Sequence, residues 1–344
     1  MKQQTVTIRD VAKAAGVSTA TVSRVLSAEG SCGVSEKRRD RVRDAAEKLG
    51  YRANHAARSL KTRSTRTAAI LAPEFSNDFF IEVAEGMERV LDANGYTLII
   101  ASSANSQEEE KLRLSALAGR MVDGMAVIPA GRRGGHFQRL ADSGMPVVLV
   151  DRLTEGAHLD AVLSENEEGA FQLTRALLAD GFRKIAFIGG DAAVSAARER
   201  QAGYGRAMAE AGRPAVSWLC SGGMGIEDGY RHTDRLLKRG PIPEALVAVN
   251  LLVHLGIERR LLDEYKGSRK RISLAVAAFD ETAYTPFLPA CRYTAVQDAQ
   301  GIGAAAARRL LERIEQRKQA GKTVSGKTPE RPEIIRLPVK IIRH

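Results

Sequence analysis

The sequence predicts two kinds of fold in one chain: an all-α helix-turn-helix domain at the amino end, then an α/β body of two doubly wound parallel-sheet subdomains. Three observations carry this expectation. Positive charge is concentrated in the first fifth, where residues 1–66 hold 15 Lys or Arg against 6 Asp or Glu, a net +9, while the other 278 residues hold 37 against 35. Helical periodicity broken by glycine fills residues 8–50. From Thr67 onward short apolar runs alternate with amphipathic stretches, the pattern of a parallel sheet covered by helices on both faces.

Composition narrows the function classes. A chain of 344 residues with 44% hydrophobic content can bury more than one core. Its three cysteines, Cys32, Cys220 and Cys291, have no paired spacing, which argues against a disulfide framework or a thiolate zinc site and fits a reducing compartment. The start MKQQTVTIRD lacks the apolar stretch of a signal peptide, and no apolar run is long enough to span a bilayer, so a cytoplasmic protein is expected. The basic first fifth carries no apolar face of Phe, Trp and Leu, so its expected polyanion is nucleic acid rather than a membrane.

Within that basic part, Thr7 and Asp10 form a capping-box-like start to a helix over about residues 8–15, with Ile8, Val11, Ala12 and Ala15 on one face. Gly16 ends it, since glycine takes the backbone conformation of a tight turn without a side-chain clash. Ser18 is an N-cap for a second helix over about 19–26 that buries Val22, Val25 and Leu26. A third helix runs from the cap Ser35 to Gly50 with Val42, Ala45, Ala46 and Leu49 inward. Small Ala12, turning Gly16 and apolar Val22 and Val25 are what two short crossing helices need. The outward residues of the second helix are Thr19, Ala20, Ser23 and Arg24; short hydroxyls reach phosphates or base edges, and an arginine can fork onto guanine.

A further basic element follows. YRANHAARSLKTRSTR, residues 51–66, contains a short helical pattern from Asn54 to Leu60 among Arg52, Arg58, Lys61, Arg63 and Arg66. A helix of about seven residues does not persist alone in water, so it is expected to form only when packed against something.

TIRDVAKAAGVSTATVSRVLS, followed by VSEKRRDRVRDAAEKLGYRANHAARSLKTRSTRTAAILAP, resembles the start of a transcription regulator of the lactose-repressor (LacI/GalR) family. The resemblance is dense over about the first 80 residues, and the order of strands and helices agrees to the carboxyl end. It implies that Thr19, Ala20 and Arg24 read bases, that Thr21 and Ser23 meet phosphate, and that Leu60, beside small Ala57, wedges into the minor groove. Thr7, Ser18 and Asn54 join that DNA-contacting set. It also implies a periplasmic-binding-protein-like body, a homodimer and a near-palindromic operator. Ala53 stands where the family usually has proline, and the loop SAEGSCG, 27–33, is longer than the common form, with Ser27 in place of the usual asparagine.

The implied organisation is a DNA-binding domain over 1–52, a hinge helix and linker over 53–66, and an effector-binding and dimerisation domain over 67–344. The body divides into one subdomain of about 67–163 with 294–320 and another of about 164–293 with 330–344. Strands are expected at 67–72, 96–101, 124–129, 146–151, 184–189, 245–250 and 273–280, with a further strand in the tail. Parallel α/β sheets bind ligands off the carboxyl ends of their strands. The polar and aromatic residues there are Phe75, Asn77, Phe79, Ser102, Asp151, Arg200, Asn250 and Asp280, with Gln297 after the segment PFLPACRYTAV. Aromatics with Asp, Arg and Asn suit a polyol, through paired hydrogen bonds and an apolar ring face. Taken singly, a Phe is usually core and an Asp or Asn after a strand is usually a turn or cap. The resemblance places Asp151, Arg200, Asn250 and Asp280 at family effector positions. The expected effector is a sugar, a sugar acid or a sugar phosphate, and either anionic form would give Arg200 a partner.

Other chemistry is set aside. GIGAAA, 301–306, matches the glycine pattern of a dinucleotide loop, but it opens the last long helix and no second strand ending in an acid follows, so close helix packing is the better explanation. The six histidines show no metal-ligand spacing, and neither G-x-S-x-G nor a P-loop is present, so no cofactor, metal or enzymatic activity is expected. A sugar-binding protein without a DNA function is the main alternative; it predicts no basic amino-terminal module and usually an export signal. A nucleotide-dependent dehydrogenase is the other, and it requires the GIGAAA loop.

Overall fold

The computed structural model describes residues 6–26, 33–51, 64–120, 122–213, 216–219, 224–239, 241–268, 273–320 and 331–344. Contacts divide the chain into two units, Met1–Thr65 and Arg66–His344.

In the first unit, the Thr7 N–H and hydroxyl both donate to Asp10 Oδ2, at 2.8 and 2.7 Å, which fixes the first turn of α1, Ile8–Ala15. These two hydrogen bonds hold the Asp10 carboxyl below its ordinary value. Gly16 takes φ 63°, and the Val17 N–H returns to the Ala12 carbonyl, so the chain turns at once. Ser18 Oγ accepts the Thr21 N–H at 3.2 Å and opens α2, Thr19–Val25. α3, Glu36–Lys48, completes a three-helix core of Val11, Ala12, Ala15, Val22, Val25, Val34, Val42, Ala45 and Ala46. Leu49, expected inward, is 37% exposed, because the helix ends at Lys48 and leaves Leu49 at the cap. The short helix expected over Asn54 to Leu60, including Ala57, lies outside the described residues, as does Ser27.

The second unit contains two six-stranded sheets. The first is ordered Ile334–Leu337, Asp160–Ser164, Val147–Val150, Gly124–Val127, Thr67–Ala72 and Thr97–Ser102, every neighbour parallel. The second is ordered Val339–Arg343, Cys291–Gln297, Ala275–Phe279, Ala245–Ala248, Ile185–Gly189 and Val216–Leu219, parallel except for the antiparallel edge strand Val339–Arg343. Period-two alternation divides the buried side chains. Ala68, Ile70 and Ala72 face one core of the first sheet, while Ala69 and Leu71 face the other.

This topology corrects the expected split of the body. Residues 294–297 belong to the second sheet, not the first subdomain, and residues 334–337 belong to the first sheet, not the second. The chain passes between the subdomains three times, and each time one residue separates the flanking elements: Glu165, Asp298 and Pro338. Crossings that short leave no linker composition to read. The strands Asp160–Ser164, Val216–Leu219 and Cys291–Gln297 were also not expected.

GIGAAA lies in the helix α5, Ala299–Ala320, which crosses α4, Asp78–Ala93. A Cβ on Gly303 would sit 1.9 Å from the Val83 carbonyl oxygen, and one on Gly86 would sit 2.1 Å from that of Gln300. These glycines let the two backbones touch, so the motif serves packing.

Candidate effector cleft and nucleic-acid interface

On α2, Val22 and Val25 turn into the core, and Thr19, Ala20, Ser23 and Arg24 are exposed. Thr21 is half-buried, with its N–H donated to Ser18 Oγ and its hydroxyl 2.9 Å from the same oxygen. Thr7 is engaged with Asp10 in the same way. The expected reading face is therefore presented as one exposed strip.

In the body, side chains from the carboxyl ends of both sheets converge on one cleft. The first sheet supplies Asn77, Phe79, Phe80, Asp151 and Arg152. Asn77 is the N-cap of its helix, its Oδ1 accepting the Phe79 N–H at 3.1 Å, and the Phe79 and Phe80 rings lie edge to face. Asp151 follows Val147–Val150 in the left-handed region, φ 63°. Arg152 Nε donates to Asp151 Oδ2 at 3.3 Å and Nη1 to the Pro129 carbonyl at 3.0 Å.

The second sheet supplies Val194, Ala196, Ala197, Arg200, Met224, Val249, Asn250, Asp280 and Gln297. Asp280 mirrors Asp151: it follows the strand Ala275–Phe279 with φ 72°. Backbone strain of this kind in non-glycine residues concentrates at functional sites. Gln297 Nε2 donates to Asp280 Oδ1 at 2.5 Å. Asn250 Oδ1 accepts the Val253 N–H at 2.9 Å, and its Nδ2 donates to the Met224 carbonyl at 3.1 Å. Burial pushes the Asp280 carboxyl above its ordinary value, against the pull of the Arg200 charge and the Gln297 donor.

Arg200 is 5% exposed and tightly held. Its Nε donates to Asn166 Oδ1 at 2.8 Å and its Nη1 to the Val249 carbonyl at 2.8 Å, and its guanidinium lies 3.9 Å from the centre of the Phe279 ring. Asn166 stands just after the Glu165 crossing and donates in turn to the Ser164 carbonyl and to Glu199. Glu199, next to Arg200, takes a bidentate pair from Arg336 at 2.9 Å on both oxygens, joining the second subdomain to the last strand of the first sheet.

The cleft thus gathers Asn77, Phe79, Asp151, Arg200, Asn250, Asp280 and Gln297 from the expected set. Two expected residues are not among its lining. Phe75 is 37% exposed, and Ser102 builds a turn, its hydroxyl donating to the Pro73 carbonyl and accepting the Ala104 N–H. Met224, Val194 and Ala197 line the cleft without a sequence signal, since small and apolar residues there read as core. The void between these side chains is about 20 Å³, room for about one water. Among the described residues, no group of three or more His, Cys, Asp or Glu is placed to hold a metal ion. No helix among them is long and apolar enough to cross a membrane.

Comparison with known proteins places this geometry. Residues 7–54 match the model of the bacterial regulatory proteins of the lacI family, and residues 65–343 match that of the periplasmic binding proteins and sugar binding domain of the LacI family. Catabolite control protein A of Priestia megaterium is 31% identical over 310 residues, covering 89% of this chain and 92% of its own. The HTH-type transcriptional repressor PurR of Vibrio cholerae is 32% identical over 311 residues, covering 90% and 91%. The structure of the Lac repressor dimer bound to operator and an anti-inducer superposes with TM-score 0.81 at 22% identity, covering 99% of this chain and 98% of that one. The chain belongs to the LacI family of bacterial regulatory proteins, and its fold is that family's helix-turn-helix domain joined to a periplasmic-binding-protein-like body.

Proposed function

We propose that this protein is an operator-binding repressor whose DNA affinity is set by a sugar-like effector held between the two lobes of the body. The observation that carries the reading is the convergence of Asp151, Arg200, Asn250 and Asp280 from two separate sheets on one cleft, in a chain whose α2 exposes Thr19, Ser23 and Arg24. A homodimer on a near-palindromic site, in the cytoplasm, is part of the proposal; the Lac repressor dimer on its operator supports it by analogy of fold. Thr19, Ala20 and Arg24 would meet base edges, and Thr21 and Ser23 phosphates. Asn54, Ala57 and Leu60 belong to the proposed minor-groove element. Effector-dependent closure of the lobes would change the order of residues 53–66 and hence operator affinity.

The test begins with selection of DNA from a randomised pool by the full chain. The pool is expected to converge on an inverted repeat, with log affinity falling linearly with log salt. Adding sugars should shift the affinity. Removing residues 1–65 should abolish DNA binding and leave sugar binding intact; a pool that never converges, or specific binding that survives the truncation, overturns the assignment.

A further inference from the structure

Arg66 opens the second unit, immediately before the strand Thr67–Ala72, and its backbone is strained. It takes φ 54°, the left-handed region that residues other than glycine, asparagine and aspartate seldom adopt. Such a conformation persists only where the surroundings over-determine it. Buried Asp123 does so from one side: its Oδ2 accepts the Arg66 N–H at 3.2 Å, and its own N–H donates to the Thr67 carbonyl at 2.8 Å. From the other side, the Thr97 N–H donates to the Arg66 carbonyl at 2.9 Å. The peptide bond is planar, so a held N–H and a held φ together fix the plane of the Thr65–Arg66 peptide.

The side chain is held as well. Arg66 Nη1 donates to the Asn94 carbonyl at 3.3 Å, and the guanidinium lies 5.4 Å from the centre of the Tyr96 ring. Tyr96 is buried, and its hydroxyl accepts from Lys318 Nζ, on α5, at 3.0 Å. Asn94 is the C-cap of α4, its Nδ2 donating to the Val90 carbonyl at 2.8 Å. These contacts offset the backbone strain, and they come from a helix, a ring and a neighbouring strand of the same lobe.

We propose that Arg66 is the foothold of the linker: clamped and left-handed, it fixes the direction in which residues 53–65 leave the body, and in the homodimer that direction selects the separation of operator half-sites. This rests on the reading of the chain as an operator-binding dimer. Half-site separation is a geometric property of a dimer, whereas half-site sequence is read by side chains on base edges. Loss of the foothold therefore relaxes spacing and leaves the sequence preference intact. Affinity at the best spacing falls, because a direction no longer set in advance must be fixed on binding.

The experiment uses the full chain and duplexes carrying the inverted half-site that the native protein selects, with the central spacer varied one base pair at a time over about half a helical turn either way. Native protein is expected to prefer one spacer. Arg66→Ala removes the side-chain contacts and keeps the strain; it is expected to lose about tenfold at that spacer and to bind the neighbouring spacers within about threefold of it. Arg66→Gly, free to take φ of either sign, avoids the strain and is expected to behave in the same way, which covers an alanine variant that fails to fold. Arg66→Asn loses the same charge but tolerates the left-handed backbone, so it should keep the native spacer preference and lose at most about threefold. Equal losses in all three variants, with a smaller salt slope and an unchanged spacer preference, would make Arg66 a phosphate contact and overturn the proposal. A native spacer preference in folded Arg66→Ala and Arg66→Gly overturns it as well, with the operator reading intact. A native chain that selects no inverted repeat overturns the operator-dimer reading itself.

Discussion

Asp280 shows how one buried side chain ties stability to pH. Its folded-state proton is held more tightly than the ordinary value of 3.8, because burial disfavours the charged form more than Arg200 and Gln297 favour it. The stabilising contribution of the protonated form is fully present below that ordinary value and is lost as pH rises through the raised folded value. Asp280→Asn removes the titration and keeps an oxygen for the Gln297 donor. The midpoint difference between variant and native protein is therefore expected to move in the variant's favour as pH climbs from about 4; parallel midpoint curves would show that Asp280 does not govern this range. Asp280, Asp151 and Asn250 were readable as residues of one cleft because each closes an apolar run, where a parallel sheet delivers side chains to its carboxyl edge. Phe75 and Ser102 had the same signal, but one faces outward and the other is used by its own turn. Asn166 had none: its importance comes from standing beside a subdomain crossing, and single-residue crossings have no compositional mark.

Elements extend the same logic to packing. Gly86 and Gly303 bring α4 and α5 into backbone contact, and Gly303→Ala would place a methyl 1.9 Å from the Val83 carbonyl oxygen. The helices must then separate, at a cost of about 1–3 kcal/mol or more, seen as a lower urea midpoint. An unchanged midpoint would mean the crossing relaxes freely. The hinge contacts differ in weight according to burial. The Glu199–Arg336 pair is partly exposed, so Arg336→Ala should change stability by less than about 1 kcal/mol. Asn166 is 1% exposed and receives a guanidinium N–H, so Asn166→Ala, which orphans that donor, should cost about 2–3 kcal/mol. Equal losses from the two variants in urea unfolding would contradict this ranking. Long, strongly periodic helices and apolar strands were legible at this scale. The strands Asp160–Ser164, Val216–Leu219 and Cys291–Gln297 were not, since polar residues interrupt their apolar pattern and their place is decided by neighbouring strands.

The whole molecule separates electrostatics from packing. Residues 1–66 carry +9 of the net +11, so polyanion attraction and effector recognition reside on different stretches of chain. That separation was plain in the sequence, and so was the existence of two similar α/β halves. The exchange of edge strands between the halves was not, because it depends on where the chain crosses.

The three one-residue crossings limit what a ligand can do mechanically. Adjacent Cα atoms stay 3.8 Å apart, so the lobes cannot draw away from each other at this seam without unravelling a strand or helix end. Pivots at Glu165, Asp298 and Pro338 would together act as a gimbal, permitting tilt and twist but not translation. The proline, with its φ fixed near −65°, stiffens one of the three pivots. A rearrangement driven by a ligand in the cleft would then be an angle, which grows into a displacement only with distance from the seam. Spin labels placed across the cleft mouth should report a distance change on ligand binding, whereas a pair flanking Pro338 should report none.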